Sequence, residues 1–259
     1  MKKWHLAISK ERRQLFPYIS ITVPSYSVMA FLGAFFTMIF LYCRSKAFGI
    51  EFDDFIKLFV ACIVGCILGA KLLFLITMVP QLTINLQVWQ IPFLYVSSGY
   101  VFYGGLFGTI ACYKYINNRM GKYTWENARN FLAPALPLFH AFGRIGCFLA
   151  GCCYGVPLNS PIMLAGIELT RIPVQLMESG FEFFLFFFLL ICSKRYKKQN
   201  LMEIYLVMYA IFRFIIEFFR GDIDRGYWIF LYTSQWISLG IVCYYIYHHI
   251  KNKMLKTKA

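Results

Sequence analysis

The sequence predicts an all-α, polytopic membrane protein of about seven transmembrane helices, with its N-terminus outside and its C-terminus cytoplasmic. Three observations carry this expectation. The 259 residues are 59% hydrophobic and 20% aromatic, and only 15% are charged, against about 25% charged in a typical soluble domain. Apolar runs of the roughly 20 residues needed to cross a hydrocarbon core of about 30 Å recur along the chain. Lys and Arg gather in alternate short loops between those runs, the pattern that orients membrane proteins.

Taken in order, residues 1–17 are polar and basic and read as an interfacial segment touching anionic headgroups. No small-residue cleavage site follows the first apolar run, so no cleavable signal peptide is expected. Helical spans are predicted near 18–43, 55–79, 99–116, 131–150, 174–192, 201–219 and 228–248. Gly and Pro interrupt the third and fourth. Residues 80–98 are apolar but hold Pro80 and Pro92, which suits an interfacial or re-entrant stretch. The membrane domain therefore covers 18–248, and residues 249–259 form a basic cytoplasmic tail.

Orientation follows from the loops. Those at 44–54, 114–130 and 193–200, with the tail, hold fourteen Lys and Arg; those at 80–98, 151–173 and 220–227 hold three. The first set is expected in the cytoplasm. The five basic residues of 1–17 oppose this assignment without reversing it. Because the positive charge is spread over these loops, the net charge of +14 points to membrane lipids rather than to nucleic acid.

Polar residues are costly within a bilayer and mark functional sites by default. With this topology Tyr26, Lys71, Tyr100, Tyr103, Gly104 and Gly105 all fall in the outer half of the membrane. So do three helical stripes. His140, Arg144 and Cys147 are spaced i, i+4, i+7; Gln175, Glu178 and Glu182 are spaced i, i+3, i+7; Tyr209, Arg213, Glu217 and Arg220 are spaced i, i+4, i+8, i+11. Each stripe also has a purely structural reading. An Arg213–Glu217 pair can serve packing alone, Glu178 and Glu182 can be partners of Lys71 or Arg144, and Gly143, Gly146, Gly151 and Gly155 suit close helix packing. Their convergence at one depth favours a site. Arginine recognises phosphate bidentately and stays charged when poorly solvated, and bare glycine backbone lets N–H groups approach phosphate oxygens. The residues themselves therefore predict a phospholipid-headgroup site in the outer leaflet.

Five stretches then resemble the motifs of the prolipoprotein diacylglyceryl transferase family. "GRIGCFLAGCCYG" (143–155) is similar to its signature G-R-I-G-N-F-x-N-G-E-x-x-G. "FYGGLFG" (102–108) resembles F-H-G-G-L-x-G, and "IPVQLMESGFE" (172–182) resembles P-x-Q-L-Y-E-x-x-x-E. "YAIFRFIIEFFR" (209–220) follows Y-G-x-x-R-F-x-x-E-F-F-R, and "SQWISL" (234–239) follows G-Q-x-L-S. The resemblance implies a seven-helix, N-out enzyme of the bacterial plasma membrane. It would move the diacylglyceryl group of phosphatidylglycerol to the lipobox cysteine of a prolipoprotein signal peptide and release glycerol phosphate, with no cofactor. Carried over, Arg144 and Arg213 hold the phosphate, Tyr26 and Tyr209 position the headgroup, and Gly155 closes the signature loop. Gly104, Gly105, Glu178, Glu217 and Arg220 complete the substrate-binding set.

The departures are chemical. The family's histidine before Gly-Gly is Tyr103 here, and a phenol with a pKa near 10 is a poor base at neutral pH. His140, one turn before Arg144, is the expected substitute. The family's asparagine after Arg-x-x-Gly is Cys147, and its Asn and Glu near Gly151 are Ala150 and Cys152. Six of the nine cysteines lie in apolar runs and read as small hydrophobes. Cys147, Cys152 and Cys153 do not. Packing, mutual protection and a redox or acyl-carrying pair stay open for them; C-x4-C-C is a weak metal pattern, and no metal is expected. Two further readings stay open as well: a relative using another acceptor, and a phospholipid-binding protein without turnover.

Overall fold

The computed structural model describes residues 18–20, 23–82, 101–164, 166–195, 200–222 and 226–257. Within them the chain is mostly helical. The helices are α1 (Ser25–Ser45), α2 (Phe52–Leu82), α3 (Phe102–Met120), α4 (Trp125–Leu132), α5 (Ala135–Leu149), α6 (Val174–Arg195), α7 (Leu201–Ile216) and α8 (Thr233–Thr257). The all-α expectation needs one correction, because three antiparallel hairpins punctuate the helices. These are β1 (Tyr18–Ser20) with β2 (Val23–Pro24), β3 (Pro157–Leu164) with β4 (Ile167–Arg171), and β5 (Tyr227–Trp228) with β6 (Leu231–Tyr232).

Local chemistry explains where the helices differ from the expected spans. The first begins at Ser25, because the two residues before it pair in a hairpin and Pro24 lacks an N–H. The fourth expected span divides at Ala133-Pro134, which turn between α4 and α5. Proline disfavours helical backbone in the residue before it, so Ala133 is where the break falls. Gly121 adopts φ 65° and returns its N–H to Asn117 O, ending α3 in the left-handed conformation that glycine accepts without a Cβ clash. Residues 249–257, expected as a tail, continue α8. Residues 1–17 and 83–98, for which interfacial roles are expected, lie outside the described residues.

Among the described residues, four helical stretches are long and apolar enough to cross a membrane, by length and composition: Ser25–Phe48, Phe52–Ile76, Trp125–Leu149 and Val174–Lys194. The burial pattern agrees with a lipid surrounding. Phe31, Phe35, Ile67, Leu72, Phe187 and Ile191 are exposed, while Glu178, Glu182 and Glu217 are almost wholly buried. In water that arrangement would be inverted.

The chain divides into two compact units, Phe40–Leu132 and a second built from Met1–Ile39 with Ala133–Ala259. In the first, α2 packs along α3 at backbone contact. A Cβ on Gly69 would run into Gly104 O, one on Gly104 into Gly69 O, and one on Gly108 into Gly65 O. Small residues at this spacing let helices close together where no hydrophobic drive operates. Polar groups tie the chain near one end of the pair: Lys122 Nζ donates to Asp54 Oδ2 at 2.9 Å and to Glu51 Oε2 at 3.2 Å, and Tyr123 Oη donates to Asp54 at 3.0 Å. These carboxylates hold the Lys122 ammonium above its usual range.

In the second unit α5 packs antiparallel to α6, α6 meets α7, and α7 packs on α8. The residues facing one another across α5 and α6 carry most of the chemistry.

Candidate active site

The three polar stripes meet in the second unit. Because α5 and α6 run antiparallel, the stripe at 175–182 reads up one helix while that at 140–147 reads down the other. Gln175 Nε2 donates to Cys152 O at 2.6 Å, Glu178 Oε2 takes the Arg144 Nε ion pair, Ser179 Oγ donates to Ala141 O at 3.0 Å, and Glu182 Oε1 lies 2.8 Å from His140 Nδ1. Four contacts in register explain why an apolar helix such as α6 carries Gln175, Ser179 and two carboxylates on one face.

Helix α7 supplies the third side. Arg213 Nη1 donates to Glu178 Oε1 at 2.7 Å, and its Nη2 lies 2.7 Å from Glu217 Oε2 one turn away. Arg220, past a 3₁₀ turn at Glu217–Phe219, places Nη1 3.9 Å from Glu178 Oε1 and clasps Asp222 with two bonds of 3.0 and 2.5 Å. Glu178 is thus shared by three guanidiniums. Each guanidinium has five donors, so one carboxylate leaves donors over. Arg144 Nη2 is buried and has no hydrogen-bond partner among the described residues. Buried donors are normally satisfied, and an anion held here would satisfy this one.

The expected residues distribute as follows. His140, Arg144, Glu178, Arg213, Glu217 and Arg220 form the connected network. Tyr209 sets its ring edge-on to His140, with centroids 5.4 Å apart and planes at 71°, and stacks on Tyr205. Tyr26 reaches the signature helix, where a Cβ on Gly146 would meet its Cδ2 at 3.2 Å. Gly155 is pinned in the loop after α5: a Cβ there would strike Ile172 O and lie 2.7 Å from Val174 Cγ2. That loop is stitched on both sides. Gly155 N donates to Ile172 O, Val156 N to Phe219 O and Gly221 N to Tyr154 O. The signature loop and the Arg220 segment are therefore one backbone assembly.

Tyr103, Gly104 and Gly105 lie in the other unit, on α3. Tyr103 is buried and stacks on Phe107 with centroids 6.0 Å apart. Gly104 faces Gly69 and Leu73 of α2, and Gly105 faces Cys66 and Ala70, so close helix packing already accounts for the missing side chains.

Sequence reasoning missed one charged member. Asp222 clasps Arg220; its one signal is the charge alternation in "RGD". Cys147, Cys152 and Cys153 are brought together, with their sulfurs all within 4.8 Å of one another; the sequence set them apart from the other six cysteines but left their role open. Hydrogen bonds from Cys147 and Cys152, and then the charges of Arg144 and Arg220, hold the Cys153 thiol below its usual range.

A helical protein whose apolar residues face outward while arginines and carboxylates are buried on facing helices has the character of a membrane protein. Comparison narrows the class. The profile of the family described as prolipoprotein diacylglyceryl transferase matches residues 13–250, and the chain belongs to that family. It is 35% identical over 238 residues to the phosphatidylglycerol–prolipoprotein diacylglyceryl transferase of Clostridium tetani, covering 87% of this chain and 91% of that protein. It is 32% identical over 234 residues to phosphatidylglycerol–prolipoprotein diacylglyceryl transferase 2 of Clostridium perfringens, covering 86% and 88%. The Helicobacter hepaticus enzyme of the first name is 29% identical over 249 residues, covering 86% and 83%.

Proposed function

We propose that this chain transfers the diacylglyceryl group of phosphatidylglycerol to the lipobox cysteine thiol in the signal peptide of a prolipoprotein. The product is a thioether and the leaving group is glycerol phosphate. The relatives' names support the reaction class. The observation that carries the site assignment is Glu178, shared by Arg144, Arg213 and Arg220 beside a buried Arg144 N–H with no partner among the described residues.

The chemistry follows from charge. The thiolate attacks the diacylglyceryl carbon next to the phosphate oxygen; the carbon–oxygen bond breaks and a carbon–sulfur bond forms. Phosphodiester becomes phosphomonoester, so one negative charge develops on the leaving group. Arg144 and Arg213 are assigned to bind that phosphate, and donors aimed at developing charge in a dry site are worth several kcal/mol, roughly 10²–10³ in rate each. Glu178 holds both guanidiniums in place while the site is empty and keeps their orientation when phosphate joins it. Glu217 fixes Arg213, and Arg220 closes the loop edge beside Gly155. Tyr26 and Tyr209 are assigned to the glycerol headgroup.

The acceptor thiol has a free pKa of about 8.5 and must lose a proton. His140 is assigned as the base, with Glu182 fixing its ring through Nδ1 at 2.8 Å in the manner of a base oriented by a carboxylate. Gly104 and Gly105 are assigned to keeping α3 against α2. The protein would span the bacterial plasma membrane seven times, N-terminus outside, with the site in the outer half where phosphatidylglycerol and the signal peptide meet.

Membranes from a transferase-deficient bacterium carrying this chain test the proposal. Supplied with head-to-tail labelled phosphatidylglycerol and a lipobox peptide, they should place the glyceryl label on the peptide and the phosphate in free glycerol phosphate. Well-expressed protein that labels no peptide would overturn it.

A further inference from the structure

Cys147, Cys152 and Cys153 have no part in the transfer just derived, and the acceptor brings its own thiol. A role as carriers of the diacylglyceryl group fails chemically, because a thioether formed on an enzyme cysteine has no facile leaving group and would end turnover. Yet the fold gathers the three sulfurs deliberately. Helix α5 ends at Leu149, Gly151 turns the chain at φ 69°, and Cys152 N returns to Cys147 O at 3.1 Å. Cys153 then sits at φ 55°, in the left-handed region that a side chain with a Cβ enters only at a cost. Strained backbone of this kind persists only where the surroundings impose it, and it clusters at functional sites. Here the surroundings are the backbone bonds of Tyr154, Gly155 and Val156 to the segments at 172 and 219–221.

We propose that these three cysteines form a binding site for one thiophilic closed-shell cation, Zn²⁺ or Cu⁺. Sulfurs bound to one such ion at about 2.3 Å stand roughly 3.8–4.0 Å apart, and these already lie within 4.8 Å of one another. Thiolate ligands select Cu⁺ and Zn²⁺ over harder ions. Three thiolates leave the complex negative, and the site has counter-charge at hand: Arg144 Nη1 is 3.8 Å from Cys147 Sγ, and Arg220 follows on the stitched segment. No fourth His, Cys, Asp or Glu joins the group among the described residues. The ion would therefore be three-coordinate, or complete its shell with water on the side of Cys152, the exposed member. Binding displaces the thiol protons to solvent. It would staple the end of α5 to the signature loop, one contact away from Arg144.

The test does not depend on transferase activity. Full-length protein in detergent, kept reduced with a phosphine, is dialysed against Zn²⁺ in one arm and anaerobic Cu⁺ in the other, each buffered by a competing chelator. The expected result is one equivalent retained in at least one arm. Retention should fall at least tenfold in Cys152→Ser and in Cys153→Ser, and be unchanged in Cys243→Ser. Cys152→Ser changes an exposed side chain, so its helical circular dichroism should match the parent. Retention no greater than that of a Cys147/Cys152/Cys153→Ser triple variant in both arms overturns the proposal. So does a disulfide among the three in protein taken directly from membranes under alkylating conditions.

Discussion

Arg213 and Glu178 meet at 2.7 Å across α7 and α6, and the second oxygen of the same carboxylate holds Arg144 of α5. One buried carboxylate thereby sets the spacing of the two guanidiniums proposed to bind phosphate. Removing one partner of a buried pair leaves uncompensated charge, typically costing 3–5 kcal/mol. Glu178→Gln should therefore lower unfolding stability in detergent by about 3 kcal/mol and abolish transfer. A variant with parental stability and activity would show that the carboxylate organises nothing.

His140 is assigned the proton of the acceptor thiol, and Glu182 orients its ring. His140→Gln should reduce turnover by roughly 10²–10⁴-fold, the usual worth of a general base. Raising pH should recover part of that loss, because the acceptor thiol then ionises without help. An activity profile whose shape is unchanged by the substitution contradicts the role.

Gly155 is enclosed by Ile172 O and Val174. Gly155→Ala forces the signature loop away from the segment at 172–174, and overpacking of this kind costs about 1–3 kcal/mol. The expected outcome is a larger loss in activity than in thermal stability, read by parallel melting and transfer assays. Gly143→Ala is the matched control, since a Cβ there meets nothing within 4 Å.

Gly69 and Gly104 hold α2 and α3 at backbone contact. Gly69→Leu should separate the helices and destabilise the 40–132 unit, seen as new protease cleavage within that segment. Gly49→Leu alters a left-handed turn with open space and should leave the same fragment resistant apart from modest strain.

Much of the site was legible because helical periodicity converts spacing into a shared face. The stripes at 140–147, 175–182 and 209–220 were readable before any fold was known. Their pairing was not. Which carboxylate meets which arginine depends on the antiparallel register of α5 and α6, and that register is set by packing along both helices. Glu182 was open to either cation in sequence, and it bonds to His140 instead. The trithiol cluster was hidden for a related reason: C-x4-C-C brings sulfurs together only if the chain turns sharply after α5, and a left-handed cysteine is not a turn signal. The hairpin of β3 and β4 was missed because the loop that forms it was read only for its charge. The division at Ala133-Pro134, by contrast, was marked by the proline itself.

The central claim is that buried guanidiniums, not merely positive charge, bind the phosphate at this site. Arg213→Lys tests it most directly, since lysine keeps the charge but loses the planar fork that bonds Glu178 and Glu217 together. In transferase-deficient membranes with matched expression, glyceryl transfer from phosphatidylglycerol to a lipobox peptide should fall by roughly 10²–10³-fold. Transfer at the parental rate in that variant would contradict the account.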